Sequence, residues 1–263
     1  KILMASRKEQ LQSIDRLLTI MDELRQECPW DRKQTFDSLR HLTIEETYEL
    51  SEALLEGEHD EIKKELGDLL LHIVFYAKIG SEQSSFDIGD VANSISNKLI
   101  QRHPHVYGDV EVENDDDVKQ NWEQIKLKEG NKGVLSGVPD TLPSLVKAYR
   151  MQEKAAGVGF DWKDAGGVVA KIEEELQEFY DEVDKKDASS MESEFGDLLF
   201  SLVNYARFMD INPDDALART NIKFRNRFMR MEEKLSAQNK KTNDLSLAEW
   251  EDLWQQVKSE KKD

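Results

Sequence analysis

From Leu66 onward, Leu69, Leu70, Ile73, Val74 and Ala77 recur at helical spacing, the stripe of a core-facing helix. Leu71, Phe75 and Tyr76 fill the opposite side. A helix apolar nearly all round must be covered on several faces, as in a bundle or a dimer. The segment from Phe195 to Ala206 reads the same way. Start signals punctuate the chain: Thr43-x-x-Glu46 and Ser246-x-x-Glu249 predict capping boxes, and Asn212-Pro213 predicts an N-cap followed by Pro at the first helical position. Strand-like alternation is confined to a weak stretch from Val106 to Val112. Only 5 prolines and 13 glycines interrupt periodic segments rich in the strong helix formers Glu, Leu, Lys and Ala. The expected fold class is all-α.

The helical pattern is written twice. Glu45-Glu46-Thr47-Tyr48-Glu49 is echoed by Glu174-Glu175-Leu176-Gln177-Glu178. Sixteen residues after the last Glu of each run stands Glu65-Leu66-Gly67-Asp68 or Glu194-Phe195-Gly196-Asp197, opening the apolar segment. Further on, Lys98 and Arg102 are matched by Lys223 and Arg227, and Trp122 with Lys126 by Trp254 with Lys258. Between the copies, Gly130 to Pro143 is rich in Gly, Pro and small residues and reads as a linker. Two homologous helical-bundle repeats follow, over residues 1–135 and 136–263.

Composition narrows the partners. With 36 Lys+Arg against 54 Asp+Glu the formal charge is −18, so a nucleic-acid backbone or an anionic membrane would repel the chain. No apolar run approaches the roughly 20 residues that span a bilayer. Lys1-Ile2-Leu3-Met4 lacks the long apolar stretch of a signal peptide. A single cysteine, Cys28, precludes an internal disulfide and a Cys-based zinc site. A cytoplasmic protein is expected.

The acidic residues carry the chemistry. On a helix, residues three apart share a face, so Glu46 and Glu49 point one way from one helix, and Glu65 and Asp68 from the next. A short turn and an antiparallel return would bring all four together, and the second copy repeats the arrangement. Crowded carboxylates either shift their pKa values or recruit cations. Hard oxygen donors without Cys or His favour Mg2+ or Mn2+ over zinc, and Mg2+ sites commonly borrow remaining ligands from water and substrate phosphates. The plainer alternative is a solvated acidic face, with Glu46 serving only as a cap partner of Thr43; the duplication at identical spacing weighs against it. A di-iron bundle needs Glu-x-x-His on two helices, and only Glu56 with His59 has that spacing, beside Gly57. His103-Pro104-His105 reads as a helix stop rather than a ligand pair.

Lys223 and Arg227 lie one turn apart on an amphipathic helix with Phe224 and Phe228. They could grip phosphates, or form an exposed basic stripe. Trp122 and Trp254 could stack on a base or anchor terminal helices. No phosphate-binding Gly-rich loop is present, and Cys28 has no recognisable activating base.

These residues resemble the MazG family, nucleoside triphosphate pyrophosphohydrolases with tandem repeats. The acidic pattern is shared by a wider superfamily that includes dimeric dUTPases and dCTPases. More specific are Cys28-Pro29-Trp30-Asp31, Arg102-His103-Pro104-His105-Val106, Leu142-Pro143 with Val158-Gly159-Phe160-Asp161-Trp162, and the closing Trp254 to Lys258. The likeness runs from about Ile14 to Lys258. It implies an all-α homodimer that cleaves NTPs and dNTPs to monophosphate and pyrophosphate with Mg2+. It further implies Glu175, Glu178, Glu194 and Asp197 as metal ligands, and Lys171, Lys223, Arg227 and Trp254 as nucleotide contacts. Glu174, beside the ligands, would orient the attacking water. The C-terminal copy is expected to be the active one, since Leu42 stands where Lys171 aligns; Glu46, Glu49, Glu65 and Asp68 would form a second metal site. A non-catalytic helical dimer binding nucleotide or protein, and a base-specific dUTPase- or dCTPase-like enzyme, are the competing expectations.

Overall fold

The computed structural model describes residues 5–114, 117, 118, 121, 122, 125, 133–238, 240–242 and 245–260. They form α-helices and short 3-10 turns, with no strand among them. The chain divides into two compact units, Lys1–Asp115 and Asp116–Asp263. The sequence reading put the division at residue 135; Val134–Gly137, from the stretch read as a linker, is a 3-10 turn packed on the second unit's first described long helix. Residues 1–4 and Lys126 lie outside the described residues.

In the first unit, α1 (Arg7–Glu27) opens on a capping box between Ser6 and Glu9. A 3-10 turn, Asp31–Lys33, leads to α2 (Phe36–Glu56), capped by Thr35 and Ser38. Gly57 ends α2 with φ at +77°, a left-handed conformation that costs a side-chain-bearing residue more. α3 (His59–Glu82) then returns along α2, and α1 packs on α3. α4 (Ile88–Arg102) and the single turn α5 (Pro104–Tyr107) complete the unit. Met21, Leu39, Val74, Phe75 and Ile79 form its core. Arg25 reaches into that core from α1: its guanidinium pairs with Glu82 at 2.5 Å, donates to the carbonyls of Asp31 and Gln34, and lies 5.6 Å from the centre of the Phe75 ring.

The second unit repeats the plan with α6 (Ser144–Ala156), α7 (Ala165–Lys185), α8 (Ala188–Phe208), α9 (Pro213–Ala237) and α10 (Leu247–Ser259). Asp164 caps α7 and Asp187 caps α8; α7 and α8 pack along each other, and α6 packs on α8. α9 and α10 close on Met231, Leu235, Leu253 and Val257. The signals at Asn212-Pro213 and at Ser246 with Glu249 hold as read.

Two local expectations need correction. Thr43 is not a cap, because α2 starts seven residues earlier, at Phe36. Its hydroxyl instead bonds the Leu39 carbonyl, His72 Nδ1 at 2.9 Å and the Tyr76 hydroxyl at 2.6 Å. Val106 to Val112 is not a strand: Pro104 at a first helical position starts the turn α5, and irregular backbone follows.

Candidate active site

The α7–α8 hairpin builds the second unit's acidic centre. Glu175 and Glu178, one turn apart on α7, face Glu194 on α8, and one carboxylate oxygen from each lies within 4.8 Å of the others. The two-residue link at Lys186 and Asp187 makes this possible: Lys186 takes φ at +59°, ending α7, while Asp187 caps α8. The first unit makes the same triad from Glu46, Glu49 and Glu65. Asp68 and Asp197 stand outside these triads yet act on them, since each raises the pKa of a neighbouring Glu by charge repulsion.

Burial sharpens the repulsion. Glu65 and Glu175 are 4% and 5% exposed. Glu65 Oε1 is paired with Lys64 at 2.8 Å, but its Oε2 is buried with no hydrogen-bond partner among the described residues. Glu46 and Glu194 are both raised from the ordinary value of a glutamate, by desolvation first and then by the surrounding acids. Clustered hard oxygens with an unsatisfied buried lone pair fit a divalent cation with oxygen preference. A carboxylate whose pKa is raised by folding holds its proton to higher pH in the native chain than in the unfolded one. Its ionisation therefore weakens the fold as pH rises through the ordinary value of 4.5 and beyond. Glu194→Gln is accordingly expected to melt at a higher temperature than wild type in chelator at pH 7. Scanning calorimetry should show that advantage shrinking as pH falls towards 4.5 and gone below it, where the carboxyl is protonated in both states.

Lys171 lies where the spacing places it. Its ammonium pairs with Glu175 at 2.6 Å and with Glu174 at 2.8 Å, and these contacts raise its pKa, so it is charged at neutral pH. Glu174 is exposed, next to the triad and outside it. Lys171, Glu175 and Asp197 lie on the wall of a cavity of about 760 Å3 between α6, α7 and α8. Trp162 is another wall residue; its ring lies against Gly167, where an added Cβ would approach to 2.6 Å.

The remaining expected contacts are elsewhere. Lys223, Arg227 and Trp254 are not among the cavity-lining residues. Arg227 sits 5.6 Å from the Trp254 ring centre, and Trp254 packs on Phe224 at 5.4 Å, so α9 and α10 bring Arg227, Phe224 and Trp254 together, with Lys223 one turn before Arg227 on α9. Their first-unit counterparts Lys98 and Arg102 lie on the last turns of α4.

The sequence reading missed Gln152, Ser201 and Asn204, which also line the cavity, and the ion pair of Arg207 with Asp161 at 2.5 Å. A signal for Gln152 was available. It occupies a position on the apolar stripe Leu145, Tyr149, Gln152, Ala156 of α6, where a polar residue requires a reason.

Comparison with known proteins agrees with this geometry. The family model described as the MazG nucleotide pyrophosphohydrolase domain matches residues 34–107 and again residues 166–230, each match containing one acidic triad. A nucleoside triphosphate pyrophosphohydrolase of Escherichia coli strain K12 is 41% identical over 262 residues, covering 96% of this chain and 100% of that protein. The nucleoside triphosphate pyrophosphohydrolase/pyrophosphatase MazG of Thermotoga maritima is 43% identical over 249 residues, covering 93% and 95%. Both units carry the acidic hairpin, both are matched, and the likeness is end to end: the chain belongs to the MazG nucleotide pyrophosphohydrolase family, with two copies of the domain.

Proposed function

We propose that this chain hydrolyses NTPs and dNTPs to the nucleoside monophosphate and pyrophosphate, with Mg2+ or Mn2+ held by Glu175, Glu178, Glu194 and Asp197. The observation that carries the reading is one hairpin presenting three carboxylates within 4.8 Å beside a lysine and a cavity of nucleotide size. The ions would neutralise triphosphate charge and lower the pKa of a bound water. Lys171 would meet the phosphates as a point charge. Glu174 would orient the water towards the α-phosphorus, where an oxygen–phosphorus bond forms as the bond to the pyrophosphate oxygen breaks. Lys223, Arg227 and Trp254 would complete the nucleotide contacts, and Glu46, Glu49, Glu65 and Asp68 would hold metal in the first unit.

Pyrophosphate release from a panel of NTPs and dNTPs, with Mg2+ and again with excess EDTA, tests this reading. Release from several nucleotides that stops in EDTA supports it. Turnover of one base alone would indicate a narrow dUTPase- or dCTPase-like enzyme, and nucleotide binding without release would indicate a non-catalytic module.

The working form would be a homodimer. Phe195, Leu199 and Leu202 form an i, i+4, i+7 stripe on α8 and are 48%, 42% and 44% exposed, more apolar surface than a helix normally leaves in water. Light scattering at micromolar concentration is expected to give twice the chain mass of 30.4 kDa, and a stable active monomer would contradict it. No helix among the described residues is long and apolar enough to cross a membrane. With a charge of −18, free nucleotides of the cytoplasmic pool suit the chain better than nucleic-acid polymers.

A further inference from the structure

Gly167, Lys171 and Glu175 follow one another at single-turn intervals along α7 and share a face. Side chains on a helix lean towards its N-terminus, so a lysine at 171 lies by default over the preceding turn, the bare backbone at Gly167. The Lys171 ammonium runs the other way, to Glu174 at 2.8 Å and Glu175 at 2.6 Å. Attraction to the acids is one cause. The other is that the space over Gly167 is taken: the Trp162 ring lies there, so close that a Cβ on residue 167 would come within 2.6 Å of it.

An exposed ring does not keep such a place unaided. Trp162 is 47% exposed, so burial fixes it only in part. Its neighbour Asp161 supplies the anchor. Asp161 Oδ1 accepts from the Trp162 backbone N–H at 2.9 Å and from Arg207 at 2.5 Å, and the Asp161–Arg207 pair is largely withdrawn from water. Arg207 is itself fixed on the last turn of α8, by two hydrogen bonds to Asn204 Oδ1 and by the Phe208 ring 4.7 Å away. On the other side of Asp161, the Phe160 N–H donates to the Ala155 carbonyl at 3.0 Å. The loop is thus tied to α6 and α8, and its tryptophan is pressed on α7.

The first unit keeps the acids and lacks all three parts of this arrangement. At the offset of 129 that pairs the carboxylates, Gly167 and Lys171 correspond to Ser38 and Leu42. At the offset of 130 that pairs Asp31 with Asp161, Trp162 corresponds to Arg32. Ring, glycine and lysine occur together in one unit and are missing together from the other, as the parts of one device would be.

We propose that Trp162, locked by the Arg207–Asp161 ion pair, is a positioning residue: its ring over Gly167 closes the N-terminal side of the α7 face and holds the Lys171 ammonium at the acidic centre. The proposal rests on Lys171 being a phosphate contact, and its test reads binding rather than turnover. The probe is inorganic tripolyphosphate, a ligand of phosphates alone, titrated calorimetrically into the full chain with Mg2+. Lys171→Met should weaken its binding by about tenfold or more, the loss of a charge-assisted contact. Trp162→Ala should weaken it by about three- to tenfold, because the lysine can then swing back over Gly167. Trp162→Phe, which keeps a ring on the glycine, should retain most of the affinity. Asp161→Asn, which frees the ring without removing it, should lose about two- to threefold.

The decisive comparison is the double variant. Trp162→Ala with Lys171→Met should bind tripolyphosphate as Lys171→Met alone does, within about twofold, since nothing remains to be positioned. A ring that served stability alone would lower the melting temperature without this coupling. The same cycle run with Asp161→Asn gives the answer if Trp162→Ala melts below the assay temperature. Affinity unchanged in Trp162→Ala or, in its place, Asp161→Asn, or a loss that persists in full beside Lys171→Met, would overturn the proposal. Affinity unchanged in the single variant Lys171→Met would instead overturn the reading of that lysine as a phosphate contact, on which the proposal stands.

Discussion

Glu178→Ala or Asp197→Ala is expected to lower NTP turnover at least about a hundredfold, while Glu49→Ala or Asp68→Ala leaves most of it. Losing a group that holds charge-neutralising metal removes roughly 2–4 kcal/mol of transition-state stabilisation, and each 1.4 kcal/mol is about tenfold in rate. Both units possess the triad, so the asymmetry must come from what surrounds it. In the second unit Lys171 stands one turn before Glu175 on the cavity wall, whereas Leu42 occupies that register in the first and packs against its core. Circular dichroism should remain helical in all four variants, because removing one of several crowded like charges relieves repulsion rather than creating it. Steady-state rates for several NTPs at saturating Mg2+ measure the effect. Equal losses from both sets of substitutions would mean that both units catalyse.

Lys171→Met should lower kcat/KM by about ten- to a hundredfold. A charge-assisted hydrogen bond to phosphate contributes roughly 1.5–3 kcal/mol. The same substitution leaves Glu175, 5% exposed, without its ammonium partner at 2.6 Å. Stability in chelator should therefore fall as well, since a buried charge without its counter-ion is costly. Saturating Mg2+ should restore much of the melting temperature but not the activity, which separates a role on substrate from one in holding the hairpin. Recovery of full activity with Mg2+ would show that Lys171 serves only to neutralise Glu175.

The elements most legible in the sequence were those governed by local rules. Helical periodicity located the apolar segments inside α3 and α8, and i, i+3 spacing with a sixteen-residue return brought Glu175, Glu178 and Glu194 together. Capping chemistry is also local, yet it misled at Thr43. Thr35 with Ser38 forms the reciprocal cap eight residues before Thr43, at the start of α2, and Thr43 is drawn instead to His72 and Tyr76 across the hairpin. Such a choice depends on α3, which no window around Thr43 contains. Gln152 was passed over for the same reason: its meaning comes from Phe200, 48 residues away, and from the cavity between three helices.

Hydrolysis of ATP in 18O-labelled water with Mg2+, followed by mass spectrometry of the products, tests the central assignment most directly. Attack at the α-phosphorus predicts one 18O in AMP and none in pyrophosphate, with the signal absent in EDTA and nearly absent in Asp197→Ala. Label in inorganic phosphate or in pyrophosphate, release of ADP, or undiminished turnover in EDTA would contradict it.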